Sequence, residues 1–249
     1  MVEPGDNLVD QILDCLAQQG EALQDDDVLV LAQKIVSKAE DRYLDYSTLT
    51  PTPEAEALAL EVDKDPRKVQ AILDESNEVV RKRQGVLIVE HRLGFVQANA
   101  GIDQSNIPSN TSNPEQSTLC LLLPVDPDAS ARQIRDEVRA RTGKQVAIII
   151  NDSLGRAWRN GTLGLAIGVA GMAALEDHIG GQDLFGRELV VTQIAAADEL
   201  SAGASLVMGQ TTEKTPVVLV RGYQPREPDA EELQGVAPLI RDKSMDLFR

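Results

Sequence analysis

Apolar residues recur along the chain at two spacings, and together they predict both helices and strands. Leu8, Val9, Ile12 and Leu16 repeat every three to four residues, which predicts a helix that ends at Gly20. Similar patterns predict helices at residues 52–80 with a break at 65–66, at 128–142 and at 195–208. Continuous apolar runs predict strands at residues 27–32, 86–89, 95–96, 119–123, 146–150, 189–194 and 217–220.

The order of these elements is mixed and does not alternate regularly between strand and helix, so it predicts an α+β fold. No Walker A sequence occurs and no Gly-x-Gly-x-x-Gly follows a strand, so a nucleotide would have to be bound by another kind of motif. The glycine-rich residues 161–171 fit either a strand or a turn. From residue 224 onward proline and charge dominate, and residues 223–249 are predicted to form a charged C-terminal tail.

Composition narrows the classes of function. The net charge of −16 argues against binding to nucleic acid or to an anionic membrane, because either requires a basic face. The two cysteines, Cys15 and Cys120, lack metal-ligand or redox spacing and lie in apolar patterns, which predicts two buried free thiols. No signal peptide opens the sequence, and glycines interrupt the apolar stretch at residues 163–175, so a cytoplasmic protein is predicted.

Two polar segments, at residues 99–106 and 151–156, each place an aspartate beside serine and asparagine where an apolar run ends. Strand ends are where α/β proteins collect ligand groups. The carboxylates of Asp103 and Asp152, with the hydroxyl of Ser153, suit Mg²⁺ or Mn²⁺, which usually accompany a phosphate substrate. The segments therefore predict a metal-nucleotide site, although an Asx turn and a solvated loop are the alternatives.

Basic and polar side chains near these segments extend the hypothesis. Lys34 and Lys38 would share one face of a helix and, with Ser37, could hold a phosphate, or they could form a solvated face. Arg156 and Arg159 suit a phosphate or carboxylate, or are ordinary surface arginines. Residues 209–215 offer backbone amides and hydroxyls between a helix and a strand, or form an ordinary loop.

Nine stretches, in this order, resemble the coenzyme F420-0:L-glutamate ligase family. They lie at residues 32–40, 85–90, 99–106, 126–131, 152–156, 166–171, 197–200, 206–209 and 216–222. The resemblance implies a CofE-like two-domain mixed sheet-and-helix fold in which residues 1–222 form two intertwined subdomains. It also implies a cytoplasmic homodimer that uses GTP and two Mg²⁺ or Mn²⁺ ions per subunit, with K⁺ as a further candidate cation.

The same resemblance assigns site residues. Metal ligands would be Asp103, Asp152 and Ser153, with Gln210 as a weaker candidate because a carboxylate can stand there in the family. The nucleotide contacts would be Lys34, Ser37, Lys38, Asn106, Met208, Gly209, Gln210, Thr211 and Thr212. Asp103, Asp152 and Arg156 would serve catalysis. The family usually has a strand that contacts GTP before residues 4–6, so a further upstream strand is expected.

The implied reaction joins L-glutamate to coenzyme F420-0. Metals neutralise charge on the GTP phosphates, the substrate carboxylate becomes an acyl phosphate, and the glutamate amine displaces phosphate. A further glutamate would be attached through a γ-carboxylate. Two alternatives remain open: a non-catalytic regulator that binds a nucleotide or flavin, and a metal-dependent phosphohydrolase that uses water as acceptor.

Overall fold

The computed structural model describes residues 1–224 and 233–247. In these residues the helices are α1 (Leu8–Gln18), α2 (Gln33–Ala39), α3 (Pro53–Val62), α4 (Pro66–Asp74), α5 (Pro127–Thr142) and α6 (Ala196–Met208). The strands are β1 (Val28–Ala32), β2 (Tyr43–Asp45), β3 (Ser76–Arg83), β4 (Val86–His91), β5 (Val96–Ala98), β6 (Leu119–Leu121), β7 (Ala147–Gly155), β8 (Thr162–Ala170), β9 (Glu176–Asp177), β10 (Gln193–Ile194) and β11 (Val217–Val220). Helices and mixed sheets make this an α+β fold, as predicted.

A four-stranded sheet, ordered β11-β1-β7-β8, lies at the centre, with β1 parallel to β7 and the other neighbours antiparallel. Alternate residues of its strands point to opposite faces. Leu29 and Ile148 pack with residues of α1, α2 and α5, whereas Val30 and Ile149 pack with residues of α6. We call these two packed faces together the central core.

A second cluster of apolar residues, the peripheral core, lies between α3, α4 and two smaller sheets. The smaller sheets are β3-β4-β5 and β2-β6. Val62, Ile72 and Leu87 are fully buried in this cluster. Thr52 and Asp65 cap α3 and α4, each followed by a proline in the first turn, which confirms the predicted break between these helices.

The structure corrects three predicted elements. Residues 76–80 were predicted to be helical, but they begin β3, which pairs with β4 through two register shifts. The strand predicted to end near Ile150 continues to Gly155, because β7 pairs with β8 up to Thr162. Residues 161–171 are therefore largely strand. Only Gln193–Ile194 of the strand predicted at 189–194 is observed, as a two-residue pair with β9.

The cysteine prediction is half right. Cys120 is buried within the peripheral core, and burial raises the pKa of its thiol to about 11. Cys15 is exposed because it lies on the outer face of α1, so the prediction of a buried thiol there was wrong. None of the helices in the described ranges combines the length and the apolar character needed to cross a bilayer.

The predicted tail falls partly outside the described residues, at 225–232 and 248–249. Within the described part, Val236 is buried against the α6 side of the central core. Its backbone N–H donates to the carboxylate of Asp128 on α5, at 3.1 and 3.2 Å to the two oxygens. This part of the tail therefore packs against the body of the protein.

Candidate functional site

The Asp103–Asn106 segment follows a tight turn at residues 99–101. All three turn residues have positive φ, and a Cβ on Gly101 would lie 2.8 Å from Nε2 of Gln97 and 2.9 Å from Cδ2 of Leu123. Only glycine fits there without displacing its neighbours. The backbone of Asp103 then pairs with Leu121 of β6 through two hydrogen bonds of 3.1 and 2.8 Å. The turn and this pairing set the direction of the Asp103 side chain.

Lys34 and Lys38 share one face of α2, as predicted, and both reach this segment. The Lys34 ammonium forms an ion pair with Asp103 Oδ2 at 2.7 Å and donates to the hydroxyl of Ser105 at 2.7 Å. Lys38 donates to the carbonyl of Asn106 at 2.8 Å. Ser37 is fully buried and accepts a hydrogen bond from Gln33, so its hydroxyl does not join the two lysines.

Asp103 and Asp152 have pKa values that move in opposite directions. Burial acts to raise the pKa of Asp103, but the hydrogen bonds from Lys34 and Ser105 and the Lys34 charge outweigh it, and the net pKa is lowered. Burial raises the pKa of Asp152 to about 6, and the charge of Asp103 adds to the rise. The two carboxylates therefore lie close enough to interact electrostatically.

The loop after α6 completes the arrangement. Ser153 lies on β7 beside Asp152, and its hydroxyl donates to Oε1 of Gln210 at 2.7 Å. The side-chain amide of Asn106 donates to the carbonyl of Thr211 at 2.9 Å. Residues 209–212 are thereby joined both to the Asp152 strand and to the Asp103 segment, which supports the sequence-based grouping of these residues.

Three predicted residues point elsewhere. Met208, the last residue of α6, is buried among the central-core residues. Arg156 lies in the exposed turn between β7 and β8, where its side chain donates to the carbonyl of Gly161 at 3.2 Å. Arg159 lies exposed in the same turn. These arginines are close in sequence to Asp152, but no described contact joins them to the carboxylates of the candidate site.

The donor set fits a hard divalent cation. Within the described residues there is no cluster of three or more histidine, cysteine or acidic residues that could hold a metal. Two carboxylates, Asp103 and Asp152, are instead accompanied by the neutral oxygens of Ser153 and Gln210. Such all-oxygen sets, completed by water or phosphate, suit Mg²⁺ or Mn²⁺. Burial is the largest cause of the raised pKa of Asp152, and the charge of Lys34 offsets it only in part.

Sequence reasoning missed one contact at this site, between Lys68 of α4 and Gln104. The Lys68 ammonium donates to Oε1 of Gln104 at 2.5 Å. The two residues are far apart in the sequence, and no local pattern links them. Only the packing of α4 beneath the loop brings them together.

Comparison with known proteins identifies the family of this α+β protein. A family model described as F420-0:Gamma-glutamyl ligase matches residues 1–222. The chain therefore belongs to the F420-0:gamma-glutamyl ligase family.

Individual relatives agree with that assignment. The coenzyme F420:L-glutamate ligase of Methanothermobacter thermautotrophicus is 43% identical over 249 residues, which are 100% of this chain and 95% of that protein. The protein of the same name from Methanocaldococcus jannaschii is 43% identical over 227 residues, covering 91% of this chain and 86% of its own. That of Methanopyrus kandleri is 42% identical over 248 residues, covering 100% and 93%.

Proposed function

We propose that this protein is a GTP-dependent ligase that joins L-glutamate to the lactyl carboxylate of coenzyme F420-0, and then adds a further γ-linked glutamate. The names of the relatives support the ligase activity and both substrates. The observation that carries the proposal is the meeting of three segments. Asp103, Asp152 and Gln210 come from different parts of the chain and converge beside the lysines of α2.

The chain's own groups have distinct tasks in this reaction. Lys38, Asn106 and the backbone amides of residues 209–212 would bind the GTP phosphates, and Lys34 would balance anionic charge beside Asp103. Asp103, Asp152, Ser153 and Gln210 would hold two Mg²⁺ or Mn²⁺ ions, with K⁺ as a further candidate cation. When bound, such ions neutralise charge on the phosphates.

The covalent steps balance without another reagent. A carboxylate oxygen of F420-0 attacks the γ-phosphorus of GTP, the bond to the β-phosphate oxygen breaks, and GDP leaves. The uncharged amine of glutamate then attacks the acyl carbon, an amide bond forms as inorganic phosphate leaves with the electron pair of the broken C–O bond, and the surplus proton of the amine passes to water. Arg156 and Arg159, in the exposed turn between β7 and β8, are candidates to hold substrate carboxylates.

An omission series tests this function against its alternatives. GTP, Mn²⁺, F420-0 and glutamate are first supplied together, and each is then omitted in turn. GDP, phosphate and glutamylated F420 are measured in every case. The proposal expects GDP formation to require F420-0, and glutamylated product to require all four. Rapid phosphate release without F420-0 and glutamate would instead identify a phosphohydrolase. Tight GTP binding without turnover would identify a regulator.

The proposal includes a homodimer in which residues 1–222 of each subunit form two intertwined subdomains. The central and peripheral cores support the division of residues 1–222 into two packed units. The segment at residues 178–192 supports association, because it exposes Leu184, Phe185 and Val191 with at least four-fifths of each side chain open to solvent. The free thiols of Cys15 and Cys120 fit the proposed cytoplasmic location.

Substituting Phe185 tests the homodimer. A charge at this position should disfavour association, so Phe185→Asp is expected to shift the protein from dimer to monomer in sedimentation velocity. Leu60→Asp is the matched control, since Leu60 is equally exposed but lies on α3, which packs into the peripheral core. A dimer of unchanged affinity in Phe185→Asp would show that this segment is not the interface.

A further inference from the structure

The Asp103–Asn106 segment is held from two helices that belong to different cores. α2, which carries Lys34 and Lys38, packs through Val36 into the central core. α4, which carries Lys68, packs through Val69 and Ile72 into the peripheral core. The segment therefore lies between the two cores, and its position depends on contacts to both.

Gln104 makes the contact to the peripheral side. It alternates with Asp103 and Ser105, the two residues whose side chains contact Lys34. The amide nitrogen of Gln104 donates to the carbonyls of Ser117 at 2.9 Å and Leu119 at 3.3 Å. Its amide oxygen accepts from Lys68. Because an ammonium can only donate, the Lys68 contact fixes which end of the amide faces the two carbonyls.

Lys68 is an unusual residue to find in this role. It is half-buried, and burial lowers its pKa, with the charge of Lys64 adding to the effect. In the described part of the chain no carboxylate lies within ion-pair distance of Lys68. A cation in such a place is costly unless hydrogen bonds compensate it, and the bond to Gln104 is the compensation that the structure offers. The charge of Asp103 also favours the Lys68 ammonium.

We propose that Lys68 is a positioning residue, which acts through Gln104 to hold the Asp103–Asn106 segment on the peripheral core while Lys34 and Lys38 hold it on the central core. The inference rests on the proposed function for its consequence: binding of a metal ion by Asp103 would compete with the Lys34 ion pair. The Lys68–Gln104 contact does not involve the carboxylate. It would therefore keep Asp103 in place when the Lys34 contact is lost.

The first measurement needs neither metal nor activity. Hydrogen exchange of residues 99–107 is followed in the metal-free full-length protein and in Lys68→Met. Faster exchange confined to this segment is expected, with an unchanged melting temperature to within a few degrees. Lys64→Met is the matched control, because it removes the same charge nearby without removing a contact to Gln104. Lys68→Arg, which keeps a charged donor, should restore protection.

The second measurement is Mn²⁺ affinity, measured by electron paramagnetic resonance. Lys68→Met and Gln104→Ala should each weaken binding by about tenfold, the loss typical when a group that supports a metal ligand is removed. The double variant should be no weaker than either single variant, because both remove one contact. Lys64→Met should bind as the parent does.

The outcomes separate this inference from the proposed function. If Asp103→Asn abolishes Mn²⁺ binding while Lys68→Met leaves both Mn²⁺ affinity and local exchange unchanged, the positioning role is wrong. If exchange rises throughout the molecule in Lys68→Met, Lys68 is a general stabilising residue and the inference also fails. If local exchange rises but not even the parent protein binds Mn²⁺, the positioning contact stands and the metal-dependent function fails.

Discussion

Asp103 and Asp152 lie in the same candidate site, but the protein holds them in different ways. Asp103 lies on a loop whose side chains are held by lysines from α2 and α4, and Lys34 already balances its charge. Asp152 lies inside β7, where the backbone ladder with β8 fixes it, and only the N–H of Ser153 donates to its carboxylate among the described contacts. The pKa of Asp103 is accordingly lowered, whereas that of Asp152 is raised to about 6.

This difference shows that Lys34 stabilises the charge of Asp103 more than that of Asp152. Among the described contacts Lys34 forms an ion pair with Asp103 but not with Asp152, although its charge also acts to lower the pKa of Asp152. An added divalent cation would supply the charge that Asp152 is missing and would compete with Lys34 for Asp103. We propose that a divalent cation would displace the Lys34 ammonium from Asp103, and each variant below alters one of the two carboxylates or its surroundings.

The largest effect is expected from removing the charge of either Asp103 or Asp152. Asp103→Asn and Asp152→Asn should each lower the rate of glutamate ligation by at least about 100-fold, because each removes an anionic metal ligand. Their effects on stability should differ. Asp103→Asn loses the Lys34 ion pair and should lose roughly 0.5–1 kcal/mol, whereas Asp152→Asn removes an unbalanced carboxylate and should not lose stability. Ligation assays and chemical denaturation at pH 7 measure the two effects.

Asp198→Asn is the control for these variants. Burial also raises the pKa of Asp198, but its carboxylate accepts from the N–H of Ala166 at 2.9 Å and lies outside the candidate donor set. An asparagine can keep that hydrogen bond, so ligation should persist. Equal loss of ligation in Asp198→Asn and Asp152→Asn would show that the assay responds to general damage and not to the loss of a metal ligand.

A moderate effect is expected from substituting Lys34, and here Mn²⁺ affinity should change in the opposite direction. Lys34→Met removes the cation that competes for Asp103, so Mn²⁺ affinity should rise several-fold while GTP affinity falls. Lys38→Met should lower GTP affinity but leave Mn²⁺ affinity within about twofold, since among the described contacts Lys38 reaches a carbonyl and no carboxylate. Calorimetric titrations of each ligand give both values. Weaker Mn²⁺ binding in Lys34→Met would contradict the idea of cation exchange.

The smallest effect is expected at Asp27, which lies far from the candidate site. Its charge, like that of Asp103, is balanced by a neighbouring cation. Arg221 donates to both of its oxygens at 2.8 Å, and this contact lowers the pKa of Asp27. A carboxyl group whose pKa is lower in the folded state stabilises the protein above its unfolded pKa of 3.8 and loses that contribution as pH falls through the folded value.

Asp27→Asn should therefore be less stable than the parent at pH 7, and the difference should shrink as pH falls below the unfolded pKa of 3.8. Denaturant titrations at several pH values measure the convergence. A stability difference that stays constant from pH 7 to pH 2 would show that the Asp27–Arg221 ion pair contributes nothing through its charge. Ligation at pH 7 should be unaffected in the folded variant.

Much of the candidate site could be predicted from the sequence because the residues of the site lie in short local patterns. The spacing of Lys34 and Lys38 placed both on one helix face, and the structure shows both reaching the same segment. Asp152 was predicted to follow a strand end, because the apolar run stops at Ile150. The strand continues since strand pairing uses the backbone, and the polar residues up to Gly155 keep their partners in β8.

What the sequence did not predict depends on contacts between distant parts of the chain. Residues 76–80 are too polar to signal a strand, and only pairing with β4 reveals β3. Lys68 reaches Gln104 because α4 packs into the peripheral core. The burial of Val236 likewise depends on Asp128, which accepts from its backbone across a long separation in sequence. No local spacing encodes any of these approaches.

The central claim is that Asp103 and Asp152 together bind the metal that GTP-dependent ligation requires. The most direct test is the number of Mn²⁺ ions bound per subunit in the presence of a non-hydrolysable GTP analogue, measured by electron paramagnetic resonance for the parent, Asp103→Asn and Asp152→Asn. The account predicts two bound ions in the parent and the loss of at least one in each variant. Identical Mn²⁺ binding by all three proteins would contradict it.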